Sequence, residues 1–136
     1  MTTTVHPQRS SSLAWGLRIG GALLLVAMAV VHAHLWRQGY ADIAVIGPSF
    51  LLNAALGGLG ALLLLVVPRR WLLGVTAAGA LLAAGSLAAL VASTTVGLFG
   101  FVESTSAQLW WTSFWIEAAA VAVLAFLTGL VLRRRR

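Results

Sequence analysis

"IGPSFLLNAALGGLGALLLLVVP", residues 46–68, is followed at once by Arg69 and Arg70. No charged residue falls between Asp42 and Arg69. About 20 apolar residues in a helix rising 1.5 Å per residue cross a hydrocarbon core about 30 Å thick. Pro48 suits the first turn of such a helix, where its missing N–H costs nothing. Behind the arginines a second uncharged run starts at Trp71. The "PRR" at 68–70 is therefore a very short turn, and the helices on either side of it must be antiparallel neighbours.

Outward from this hairpin the same pattern recurs. "IGGALLLVAMAVVHAHLW" lies between Arg18 and Arg37, and a last apolar run ends at Leu132. The reading is an all-α, polytopic membrane protein: a four-transmembrane-helix antiparallel bundle with spans at about 14–36, 47–67, 71–96 and 107–132. Residues 1–12 read as a mobile cytoplasmic tail in which His6 is solvated, and 133–136 as a basic cytoplasmic end. The "VHA" at 31–33 is a small-residue motif of the kind a signal peptidase cuts. The run before it is longer than such a leader needs, and His32 would sit inside the motif, so the segment is expected to remain as span one.

Composition supports this class. Of 136 residues 60% are hydrophobic and 9% charged, against about 25% charged in soluble domains, too little polar surface to cover a water-soluble fold. The net charge of +6 does not imply nucleic acid, because the arginines sit at the ends of apolar runs. With both termini in the cytoplasm, eight of nine arginines lie inside and only Arg37 outside, as the positive-inside rule requires. Asp42 and Glu103 then lie in outer loops and Glu117 in span four. The expected location is a plasma membrane. The absence of Cys removes disulfides, thiol catalysis and Cys-ligated metal.

Lipid competes as well as Leu for an apolar side chain, so small residues make the helix contacts. Expected seams are Thr76, Ala80, Ala84, Ala88 and Ala92; Asn53, Gly57 and Ala61; and Ala118, Ala122 and Ala125. Most Trp residues fit an aromatic belt, Trp36, Trp110 and Trp111 at one interface and Trp15 and Trp71 at the other. Trp115 is deeper and is expected to line a pocket.

Glu117 is the acid that needs a reason. A charged carboxylate near mid-membrane costs about 2.5–3.5 kcal/mol, so it is either carried as the neutral acid or turned toward a donor inside the bundle. By three- and four-residue spacing its face also carries Trp110, Ser113, Ala120, Val121 and Leu124. His32 in span one and Asn53 in span two lie at comparable depth. His34, two residues on, is turned about 200° away from His32 and is expected to reach interfacial water. The predicted pocket is thus His32, Asn53, Trp115 and Glu117 in the extracytoplasmic half. Arg37, Tyr40, Asp42 and Glu103 stand at its mouth, where Arg37 and Asp42 are placed to pair and Glu103 to approach Arg37 or a histidine.

No nucleophile elbow, phosphate loop or metal-ligand motif occurs, so no catalytic or metal-binding residue is assigned. Haem or a quinone are the cofactors this pocket brings to mind. The expected partners are the lipid bilayer and either a larger membrane complex or a second copy of the chain.

The stretch "HAHLWRQGYADIAVIGPSFLLN" at 32–53, with "GLFGFVE" at 97–103, resembles small, uncharacterised four-span membrane proteins of high-GC Gram-positive bacteria. The resemblance implies the four-span layout and carries no activity to any residue. The layout is also distantly similar to that of DoxX-like proteins, by architecture alone. The function expected from the sequence is a non-enzymatic accessory or structural subunit. Alternatives are a quinone- or haem-binding bundle and a component of a proton or solute pathway.

Overall fold

The computed structural model describes residues 8–136, with side chains from Ser12 onward. Among these residues the chain is all helical, with α1 (Gln8–Arg37), α2 (Ile46–Val66), α3 (Arg69–Thr95) and α4 (Trp110–Arg133). A single 3-10 turn, Tyr40–Asp42, interrupts the first connection. All four helices are long and apolar enough to cross a membrane, and the chain is a multi-pass membrane protein. His6 and the first part of the expected tail lie outside the described residues.

The helices form a ring in which α1 packs on α2 and α4, and α3 packs on α4 and α2. Only Val67 and Pro68 separate α2 from α3, so the two run antiparallel. The longer connections, 38–45 and 96–109, share one end of the bundle, here called the loop end. The α2–α3 turn and the C-terminus share the other, the terminal end. There Arg135 Nη2 donates to the carbonyls of Arg69 and Arg70, at 3.3 and 2.6 Å.

Two boundaries differ from expectation. α1 reaches back to Gln8, so residues 8–12 are helical. α4 starts at Trp110 and not at 107. Ala107 and Trp110 donate to the carbonyls of Ser104 and Ala107 in turn, and Leu109 then takes φ 62°, which a helix cannot continue through. In the same connection Phe99 and Gly100, both at positive φ, turn the chain so that Leu98 and Phe101 exchange two backbone hydrogen bonds.

The packed core comprises Ala22, Leu25, Met28, Ala61, Leu64, Leu72, Ala83, Ala120 and Leu124. Gly57 sets the approach of α1 to α2: a Cβ there would lie 3.1 Å from the Leu25 carbonyl oxygen. The buried line of α3 is Leu72, Thr76, Gly79, Ala83 and Ser93 rather than the expected every-fourth row. Steps of four residues turn 400°, so that row drifts 40° per step and Ala88 ends exposed. Alternating steps of four and three hold one face. The expected α4 row of Ala118, Ala122 and Ala125 does keep to one face, but that face is about 100° round the helix from Glu117; Ala122 and Ala125 are exposed, while Glu117, Ala120, Leu124 and Leu127 face in.

Candidate functional site

Glu117 stands seven residues into α4, about 10 Å from its start. The late start of α4 makes it shallower than the sequence suggested. It is 1% exposed, on the face that also buries Trp110, Ser113, Ala120 and Leu124. His32 on α1 is 7% exposed and faces it across the bundle, whereas His34 is exposed. The two meet through Ser86 of α3. Ser86 Oγ lies 2.7 Å from Glu117 Oε1 and 3.3 Å from His32 Nε2. The direct separation of His32 Nε2 and Glu117 Oε1 is 3.8 Å.

The proton positions follow from the partners. His32 Nδ1 lies 2.9 Å from the Met28 carbonyl oxygen, which only accepts, so Nδ1 carries a hydrogen. Two arrangements then satisfy the chain. In one, His32 is the cation, Nε2–H donates to Ser86, and Ser86 donates to the Glu117 carboxylate. In the other, neutral Glu117 donates to Ser86, and Ser86 donates to His32 Nε2. They differ by the transfer of one proton through a hydroxyl, and both have zero net charge. The bundle can therefore hold these groups in a low-dielectric setting without burying a net charge.

Above the triad lies a cavity of about 390 Å³ toward the loop end, bordered by α1, α2, α3, α4 and both long connections. Three buried polar atoms on residues lining it have no hydrogen-bond partner among the described residues: Asn53 Oδ1, Trp110 Nε1 and Glu117 Oε2. An aromatic column forms one wall. Phe50 packs edge-on to His32 with ring centroids 4.9 Å apart and stacks on Tyr40 at 5.0 Å, and Phe101 meets Tyr40 edge-on at 5.9 Å. At the top of the column the Tyr40 hydroxyl donates to Glu103 Oε2. Burial, and then the bond to and charge of Glu103, push the Tyr40 phenol above its ordinary range.

The structure thus gathers His32, Asn53 and Glu117 around one cavity, with Tyr40 and Glu103 at its mouth. It does not gather the others. Trp115 is 64% exposed: it is two residues from Glu117, which is about 200° around the helix, so a buried Glu117 turns Trp115 outward. Trp110, assigned to the aromatic belt from sequence, takes the lining position. Arg37 and Asp42 are exposed, and no ion pair joins them among the described residues. Glu103 meets Tyr40 rather than Arg37 or a histidine.

No family model, curated protein or solved structure matches this chain. The site must therefore be read from its own chemistry. Among the described residues no three His, Cys, Asp or Glu side chains converge. The residues that sequence reasoning passed over are Ser86, the connector, and Phe50. Nothing in the sequence marks Ser86 beyond a hydroxyl in mid-helix. It lies nine residues from the end of α3, about 14 Å, which is within reach of the Glu117 level once α4 starts late. The hydroxyls of Ser93, Thr94 and Thr95 bond back to carbonyls one turn earlier and leave no donor for a ligand.

Proposed function

We propose that the chain binds one small amphiphilic molecule in the loop-end cavity, with an apolar body and a head carrying both a hydrogen-bond donor and an acceptor. A quinone or quinol is the class that fits best. The observation that carries this reading is the set of three unpartnered buried polar atoms from α2 and α4 on one apolar cavity. Leaving such an atom unsatisfied costs about 1–3 kcal/mol, so three on residues that line one cavity favour an occupant that satisfies them. A volume of about 390 Å³ lies in the ordinary range for small-molecule sites. In this reading one hydroxyl of the quinol head accepts from Trp110 Nε1–H and donates to Glu117 Oε2, and its second hydroxyl donates to Asn53 Oδ1. The His32–Ser86–Glu117 chain can take up or return the proton of the first hydroxyl. Haem suits the site less well, because the one histidine edge available for iron faces Ser86 and Glu117.

The test is calorimetric titration of the purified chain with a short-tailed quinol kept reduced. One saturable site per chain is expected, weakened about tenfold in both Glu117→Ala and Trp110→Phe, each losing one hydrogen bond. Absence of saturable binding, or unchanged affinity in both variants, overturns the reading.

A second reading, an accessory subunit of a larger membrane complex or homo-oligomer, draws on the outer face of α3. Gly74, Ala78, Gly85 and Ala88 are exposed there at steps of four, seven and three residues, small enough for another helix to approach closely. Cross-linking from a cysteine at position 78 to a second helix supports it, and exclusively monomeric chain counts against it. In either reading we place both termini in the cytoplasm of a bacterial cell, on the distribution of arginine.

A further inference from the structure

The terminal end holds a second, larger cavity of about 590 Å³, unconnected with the proposed quinone site. Five arginines line it: Arg18, Arg69, Arg70, Arg134 and Arg135. No Asp or Glu side chain does, since the three acids of the sequence are at positions 42, 103 and 117. Five like charges around one cavity repel one another, and exposed side chains would splay apart. Two of these are held in place instead. Arg18, 7% exposed, donates from Nε to the Leu64 carbonyl at 2.6 Å and from Nη2 to the Val67 carbonyl at 2.9 Å. Arg135 donates to the carbonyls of Arg69 and Arg70. Each guanidinium carries five N–H donors, so both keep donors to spare.

The rest of the lining is apolar. Leu72 of α3 and Leu127, Leu130 and Val131 of α4 form a wall that continues into the membrane-spanning part of the bundle. Trp15 and Trp71 are exposed at the same end, as aromatic side chains are at headgroup level. The ligand chemistry is therefore a phosphate-type anion, bound by several guanidinium forks. The apolar wall beneath the arginines selects between its two sources, because a free phosphate has no use for it. We propose that this cavity binds the headgroup phosphate of an anionic phospholipid, with an acyl chain lying along Leu127, Leu130 and Val131 of α4. Basic clefts between helices are recognised headgroup sites in membrane proteins generally.

The full-length chain in mild detergent is offered phosphatidylglycerol, phosphatidylcholine or inorganic phosphate, and retained adducts are counted by native mass spectrometry. Phosphatidylglycerol is expected to be retained about tenfold more strongly than phosphatidylcholine, a preference that R69A/R70A abolishes. Arg37→Ala removes one charge at the opposite end and is expected to keep it. R70Q alone gives the same reading, as a partial loss, if the double variant does not fold. Equal retention of the two lipids overturns the proposal, as does a loss in R37A equal to that in R69A/R70A. Inorganic phosphate displacing phosphatidylglycerol at comparable concentration also overturns it, by making the site one for the free anion.

Discussion

Glu117 is held by a serine and not directly by a histidine, and that decides what each substitution does. In Glu117→Gln the amide oxygen still accepts from Ser86. In Glu117→Ala, Ser86 and His32 lose their partner in a buried site. We expect E117A to lower stability by about 1–3 kcal/mol and E117Q by clearly less, measured by thermal unfolding in detergent. Equal losses would show that the carboxylate fills space and holds nothing. Tyr40 gives a second prediction with a definite sign. Burial and Glu103 raise its ionisation above the usual value of 10, so the folded state holds the phenolic proton more tightly than the unfolded chain does. The associated stability is complete below pH 10 and is lost as pH rises from there toward the folded value. Tyr40 is the sole tyrosine, so tyrosinate absorbance reports it alone. Its titration should move down toward the usual value in Glu103→Gln. At this scale the sequence disclosed His32, Asn53 and Glu117, because depth along a span follows from counting. It set Trp110 on the Glu117 face yet read it as part of the aromatic belt, and it did not disclose Ser86, because a three-residue error in the start of α4 shifted the depth of Glu117 relative to the other helices.

Helix limits and directions were the most legible features, since charge and proline mark them. Pro68 and the two arginines fixed the α2–α3 turn, and every span was found with the correct partner before and after it. The loop-end connections were not legible. Their form depends on residues at positive φ that are not glycine, Val45 at 67°, Phe99 at 51° and Leu109 at 62°, a conformation that these residue types do not signal. Gly47, in the first turn of α2, shows how the first of these connections is secured. A Cβ at Gly47 would meet the Ala41 carbonyl oxygen, a backbone atom of the 3-10 turn that carries Tyr40. Gly58, about three helical turns beyond Pro48, has nothing within 4 Å of its Cβ position. Gly47→Ala should therefore displace the turn, break the Tyr40–Glu103 bond and return the tyrosinate titration toward its ordinary range. Gly58→Ala should leave that titration unchanged and keep or slightly raise stability, since Ala favours helix over Gly by up to about 1 kcal/mol. A like response from both glycines would show that Tyr40 does not depend on the fit of α2 against the turn.

The whole molecule is polar along its axis. The loop end carries the hydrogen-bonding cavity, Asp42, Glu103 and one arginine, Arg37; the terminal end carries the remaining described arginines and no acid. Helix packing is indifferent to which end faces the cytoplasm, because the contacts of the ring are the same either way up. The proposed orientation rests on the charges alone, through the preference of Lys and Arg for the cytoplasmic side. A chain without cysteine allows this to be read one position at a time. Ser104→Cys places a thiol in an exposed loop-end turn, and Arg136→Cys places one at the exposed terminal end. In intact cells a membrane-impermeant maleimide should label S104C, and should label R136C only after the membrane is opened. The reverse pattern would put the arginines outside and sink the cytoplasmic placement of the termini. It would leave the bundle, the His32–Ser86–Glu117 chain and both cavities standing, but the first would then take its ligand from the cytoplasmic leaflet and the second its phospholipid from the outer one. Removing charge separates the two cases further. If arginine sets the direction, Arg69→Gln with Arg70→Gln should increase the fraction of S104C that is protected in intact cells, and Arg37→Gln should not.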